Sequence, residues 1–340
     1  ELILNSGSLV LLVLSKNEEN KTLVCEALKS GTVQDNCLVN VPNRLSSLPC
    51  ISDEDASLIK FAASAGVDFI GASFVRNAKD VNDVKAFVNE LNPNIKVFAK
   101  IENKSAVENF DEILEAADGI IISRGDLSVE VPYEYQPIIQ KKIIKKCNKV
   151  GKPVVVSTQI ISSMTRNKKP SRAEVSDVAN LVLDGVDAIS LTNVTTIGLY
   201  PSKAVKALAK IIKATEEHAK EVLGCKASCH KHHNENSDYP LDDAVASAVI
   251  ATANKVNAKL IVAFSESGAT AKRISKQRPD CPIASVSSDD TIRMSLTLNW
   301  GIYPVVAAHK TYEIDFLSLG KEIAVYYGLK EGDTFIITGG

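Results

Sequence analysis

Lys100 and Glu102 stand two residues apart at the end of an apolar run, Ile95-Lys96-Val97-Phe98-Ala99. In a strand such a pair shares a face, so an ammonium and a carboxylate would emerge side by side. A second apolar run, Gly119-Ile120-Ile121-Ile122-Ser123, leads into Arg124-Gly125-Asp126. If the two runs are neighbouring parallel strands, Glu102 and Asp126 stand together at their ends. Hard oxygen donors so placed suit Mg²⁺, and a lysine beside them suits a phosphate or a developing enolate. The plain alternative for Lys100 and Glu102 is a surface ion pair, worth ~0–1 kcal/mol.

The surrounding pattern supplies strands and helices to hold these groups. Asp53-Glu54-Asp55 opens a helix that runs to Ala65 and stops at Gly66. Strands are predicted over 68–74, 95–102, 119–125, 153–159 and 187–192, with helices over 78–91, 104–116, 134–149, 171–184 and 201–222 between and after them. The strands are almost continuously apolar, as in a parallel sheet buried on both faces. Polar residues at successive strand C-termini favour a (β/α)8 TIM-type barrel over an open sheet. Five strands do not close such a barrel, and the chain starts at Glu1 rather than Met. The expectation is therefore a partial chain with five of eight barrel strands. Residues 1–45 read as the C-terminal part of a β-rich lid, with strands around Leu9–Leu14 and Lys21–Glu26 and a polar turn over 15–20. The barrel part is set at 46–223 and a polar linker at 224–237. A smaller doubly wound α/β domain follows at 238–340, with strands over 259–264, 282–287, 302–307 and 333–338.

The net charge of −2 excludes a strongly basic nucleic-acid surface. No apolar run approaches the ~20 residues of a membrane span, and the start has no basic and apolar leader. Neither nucleic acid nor membrane is expected as a partner. Seven scattered cysteines read as reduced thiols of a cytoplasmic protein. Cys225, Cys229, His230, His232 and His233 cluster in the linker. They could ligate Zn²⁺ but lack a CxxC pair, and the bland reading is a solvated linker.

In order and spacing, the motifs resemble those of the pyruvate kinase family. Lys100-Ile101-Glu102-Asn103 resembles its KIEN signature, and Arg124 to Glu130 its RGDLGVE. Gly151-Lys152-Pro153 through Thr158-Gln159 resembles GKPV…TQM, and Ser171 to Asn180 resembles PTRAEGSDVAN. The resemblance implies phosphoryl transfer from phosphoenolpyruvate to ADP, giving pyruvate and ATP, the last step of glycolysis. It implies Glu102 and Asp126 as Mg²⁺ ligands and Lys100 as the cation on the transferring phosphoryl group. Ser123, the amides of Gly125 and Asp126, and Thr158 would meet the substrate. Thr158 and Thr192 would serve the proton route to the enolate, with Ser73 and Arg76 supporting the site. K⁺ is a second implied cation, its ligands expected in the missing N-terminal part. A homotetramer and a phosphorylated sugar effector are also implied. The effector's phosphate would sit at Ser265, Ser267, Gly268 and Thr270, a strand-to-helix turn whose plain reading is a βα connection.

Departures from the family pattern define the alternatives. SGET becomes Thr192-Asn193-Val194-Thr195, a Gly becomes Ser128, Ile160 and Ser162 stand in the TQMLESM-like stretch, and Phe98 replaces an aliphatic residue. Ser128 would be strained if that site needs φ > 0. One rival reading is thus a catalytically impaired family member that binds metabolites or regulates active subunits. The other is a Mg²⁺-dependent carbon–carbon lyase of the pyruvate/phosphoenolpyruvate type.

Overall fold

The structure, a computed structural model, describes the chain except residues 5–8, 34, 36, 38, 42–47, 224–240, 307–314 and 340. The sequence begins with short β-prone runs, and these pair locally. Strands β1 (Leu2–Leu4), β2 (Leu9–Asn17), β3 (Thr22–Ala27) and β4 (Val39–Asn40) form an antiparallel sheet in the order β3-β2-β1-β4. β2 runs three residues past the expected start of the turn, with a register shift between Val13 and Ser15 that adds a local bend.

From residue 53 the chain alternates helix and strand. α1 (Asp53–Ser64) starts at a capping box in which Ser52 and Asp55 satisfy each other's backbone amides. β5 (Phe69–Ala72), α2 (Ala78–Leu91) and β6 (Lys96–Ile101) follow. The helix expected over 104–116 is two helices, α3 (Lys104–Glu108) and α4 (Phe110–Ala116). Asn109 breaks them: its side chain donates to Arg76 O at 2.9 Å instead of following the helix. β7 (Gly119–Ser123), α5 (Arg124–Glu130), α6 (Gln136–Val150), β8 (Val154–Ser157), α7 (Arg172–Asp184), β9 (Ala188–Ser190), α8 (Asn193–Thr196) and α9 (Pro201–Leu223) complete this part.

β5 to β9 form one parallel sheet in chain order. Phe98 fits this sheet because its registered partner is Gly119, where a Cβ would stand 2.5 Å from the Phe98 ring. The ring packs edge-on to Phe69, with centroids 5.4 Å apart. One core runs from Val81 and Val84 through Ile101, Ile120 and Val156 to Leu181 and Leu208.

The second part has α10 (Leu241–Lys255), β10 (Ile261–Phe264), α11 (Ala269–Ser275), β11 (Ile283–Ser287), α12 (Asp290–Ser295), β12 (Ile302–Val306), α13 (Phe316–Tyr326) and β13 (Ile336–Gly339). Its parallel sheet has the order β12-β11-β10-β13. Alternate residues of β10 face opposite layers: Ile261 and Ala263 pack with α10 and α11, Val262 and Phe264 with α13.

A buried polar joint links the two parts. Arg278 donates to Gly185 O at 2.6 Å and to Asn148 Oδ1 at 3.2 Å, and pairs with Asp187 Oδ1 at 3.0 Å. Its guanidinium lies 5.2 Å from the Trp300 ring centre, and Trp300 N–H donates to Asp187 Oδ1 at 3.1 Å. Asp187 Oδ2 in turn accepts from Val154 N–H at the start of β8. Arg278→Gln would leave the buried Asp187 carboxylate without its cation, and such losses cost about 3–5 kcal/mol. Urea unfolding is expected to shift by that amount; a shift below ~1 kcal/mol would mean the joint carries little stability.

Candidate functional site

Glu102 lies one residue beyond β6 and is 1 % exposed. A carboxylate so buried needs donors, and two are provided. Lys100 Nζ stands 2.8 Å from Oε1, and the Phe74 N–H donates to Oε2 at 2.7 Å. The shared strand face expected for Lys100 and Glu102 is therefore present. Lys100 also donates to Ser73 Oγ at 2.9 Å, so the ammonium is held between two strand ends. Phe74 presents its amide from a left-handed conformation, φ 53°, which is uncommon for a non-glycine residue and clusters at functional sites. Asn103 caps α3 through Ala106 N–H and donates to Val75 O, fixing the same corner.

Asp126 corrects one expectation. The strand predicted over 119–125 stops at Ser123, and Asp126 sits in the first turn of α5 rather than on a strand end. The last registered pair of β6 and β7 is Ile101 with Ile122, so this turn rises beside Glu102. Ser123 Oγ donates to Asp126 Oδ2 at 3.0 Å. Ser128 lies within α5, not in the left-handed region, so the strain expected there is absent; its hydroxyl donates to Gly125 O at 2.6 Å.

β8 likewise stops at Ser157, two residues before the expected end. Thr158, Gln159 and Ile161 all have φ between 41° and 64°. Arg124 holds this strained turn. Its guanidinium donates to Thr158 O and Gln159 O and forms a two-point pair with Asp177, each oxygen at 2.8 Å. Thr158 Oγ1 accepts from Gly125 N–H at 2.7 Å and donates to Ser157 O. Lys100, Glu102, Ser73, Asp126, Gly125 and Thr158 thus all stand at or just beyond the C-terminal ends of β5 to β8.

The remaining candidates stand further off or serve other ends. Thr192 caps α8, its carbonyl accepting from Thr195 and Thr196. Val194 fills the core at 2 % exposure. Arg76 makes a two-point pair with Asp80 and donates to Leu48 O. Burial pushes the Asp80 carboxyl up, but the Arg76 hydrogen bonds outweigh it and hold it below the ordinary range. A depressed carboxylate adds stability above its unfolded value, near pH ~4, and loses it as pH falls further. Asp80→Asn is expected to flatten the fall of the melting temperature below pH ~4. Equal slopes in both proteins would discount the pair.

At the proposed effector turn, Ser265 is buried and Ser267 Oγ accepts from Ala269 N–H, while Gly268 takes φ 75° to start α11. The Cys/His cluster of the linker lies outside the described residues.

Two contributors carry no side-chain signal in the sequence: the Phe74 amide and the carbonyls of Thr158 and Gln159. Asp177 lies in the Ser171 to Asn180 motif, and the need of Arg124 for a carboxylate partner is the signal that points to it. Glu102 and Asp126 are the carboxylates here that could hold a divalent metal. No group of three or more His, Cys, Asp or Glu gathers elsewhere among the described residues. Two carboxylates with water and substrate oxygens fit Mg²⁺, which seldom uses an all-protein cage.

Comparison with known proteins supplies the relationship. The family model described as pyruvate kinase, barrel domain, matches residues 1–205, and that described as pyruvate kinase, alpha/beta domain, matches 243–340. The pyruvate kinase of Lactobacillus delbrueckii subsp. bulgaricus is 39% identical over 340 residues, 99% of this chain and 57% of its own length. That of Geobacillus stearothermophilus is 39% identical over 345 residues, with 100% and 57% covered. A crystal structure of a pyruvate kinase from Cryptosporidium parvum superposes with a TM-score of 0.88 at 34% identity, covering 100% of this chain and 70% of that one. The chain spans 57% of the length of these two curated relatives.

These matches correct the expected division of the first part into a lid remnant and a separate run of barrel strands. The barrel-domain match takes in residues 1–205 as one span, with β1 to β4 inside it, and the alpha/beta match takes in the second part. With both of its domains matched in order, and the KIEN and RGD stretches meeting at neighbouring strand ends, the chain belongs to the pyruvate kinase family.

Proposed function

We propose that this chain carries the phosphoryl transfer of its family, from phosphoenolpyruvate to ADP, yielding pyruvate and ATP. The observation that carries the reading is Lys100 held between Glu102 and Ser73 at the strand ends beside the turn that bears Asp126. Phosphoryl transfer asks for positioning and charge neutralisation more than for a covalent protein partner. Glu102 and Asp126 would hold Mg²⁺, which supplies positive charge to the phosphoryl and enolate oxygens when bound. Lys100 Nζ would neutralise the phosphoryl oxygens as the enol C–O–P bond breaks and the new P–O bond to ADP forms. The amide of Asp126, with Ser123 beside it, would orient the substrate carboxylate, and the Gly125 amide would join it on leaving Thr158 Oγ1. Thr158 and Thr192 would serve the route by which a proton reaches the enolate carbon, giving pyruvate.

K⁺ is the second cation of this reading, and a homotetramer its assembly. A phosphorylated sugar at the 265–270 turn would be its effector. The free cysteines among the described residues support a cytoplasmic setting, and no helix among those residues is long and apolar enough to cross a membrane. The test is ATP formation from ADP with phosphoenolpyruvate and Mg²⁺. Turnover abolished by EDTA supports the reading; a folded protein that binds both substrates without turnover overturns it in favour of a regulatory family member.

A further inference from the structure

The turn that carries Asp126 is built from a helix-start motif that has been left open. At the N-caps of α1, α7 and α5 a serine is followed three residues later by an acid: Ser52/Asp55, Ser171/Glu174 and Ser123/Asp126. At the first two, the motif closes. Asp55 N–H donates to Ser52 Oγ at 3.1 Å and Glu174 N–H to Ser171 Oγ at 3.3 Å. In return Ser52 N–H donates to Asp55 at 2.9 Å and Ser171 N–H to Glu174 at 2.8 Å. Both serines have ψ near the extended value, 170° and 162°.

At Ser123 ψ is 93°, and its hydroxyl makes no capping bond. The hydroxyl, on a residue 1 % exposed, instead donates to Asp126 Oδ2 at 3.0 Å. A closed box would fold the Asp126 carboxylate onto the Ser123 backbone. The open one holds it by a side-chain donor and keeps it off the Ser123 backbone, in the turn that follows β7 next to the end of β6. Ser128 secures the same turn from its other side through Gly125 O, 2.6 Å away.

We propose that Ser123 is a positioning residue that presents Asp126 to a divalent cation. The proposal rests on the reading of Asp126 as a metal ligand. Partners that orient a ligating carboxylate typically govern metal affinity by 10–100-fold, and an ordered carboxylate loses less freedom on binding.

The test is Mn²⁺ binding, read by the electron paramagnetic resonance of free Mn²⁺, for wild type, Ser123→Ala, Asp126→Ala and the double variant. Melting temperature in EDTA serves as the folding control. The expected result is a roughly 10-fold loss for Ser123→Ala, a larger loss for Asp126→Ala, and no added loss in the double variant, as one shared path requires. Wild-type affinity in Ser123→Ala, with affinity lost in Asp126→Ala, overturns the role of Ser123 and leaves the metal site standing. Additive losses also overturn it, since the hydroxyl would then act apart from Asp126. Unchanged affinity in Asp126→Ala removes the ligand reading itself, and the inference with it.

Discussion

Asp126→Ala is expected to abolish Mg²⁺-dependent binding of phosphoenolpyruvate, by about 100-fold or more. The estimate starts from the 10–100-fold that partners of metal ligands command, and a ligand itself should match or exceed it. The donor set has no reserve: among the described residues no third acid or imidazole gathers with Glu102 and Asp126. Glu102 is also committed, with Lys100 on one oxygen and the Phe74 amide on the other. Removing Asp126 leaves the cation with one shared carboxylate. The fold should survive, because Asp126 is half-buried in the first turn of a short helix and its one described partner is the Ser123 hydroxyl. Calorimetric titration of phosphoenolpyruvate with and without Mg²⁺ reads the effect. Equal binding by variant and wild type would put the metal elsewhere.

Lys100→Met is expected to lower kcat by roughly 10³-fold while phosphoenolpyruvate affinity changes far less. The lysine is ordered before any substrate arrives, between Glu102 at 2.8 Å and Ser73 at 2.9 Å. Such preorganised charge is worth most where negative charge moves in the transition state. Methionine keeps the length and apolar stem, so packing against the strand end is retained. Glu102 would still have the Phe74 N–H and the cation. Steady-state kinetics with substrate titration separates the roles: equal losses in kcat and affinity would make Lys100 a binding residue only.

The pairing of Lys100 with Glu102 was legible because strand periodicity is local and the strand indeed ran to Ile101. The parallel order was legible for the same reason, from uninterrupted apolar runs such as Val154 to Val156. What escaped lay where backbone leaves the regular regions. Strand periodicity places Asp126 on a strand end, yet the chain turns into α5 at Arg124, whose guanidinium pairs with the distant Asp177, a contact that local pattern does not show. Thr158 was read within a strand, yet it is left-handed, and nothing in a β-branched residue announces that. Ser128 was read as a strained replacement, and the helix around it removes the strain. Strands β1 to β4 form an antiparallel sheet apart from the five parallel strands, yet both fall inside the barrel-domain match, a membership that apolar periodicity does not mark.

The most direct test of the central claim is the position of a bound cation. Crystals grown with Mn²⁺ and oxalate, a planar mimic of the pyruvate enolate, would locate the metal by anomalous scattering. The account predicts a peak ligated by Glu102 and Asp126, with oxalate on the Lys100 side. A peak held by other residues, with both carboxylates uncoordinated, would contradict it.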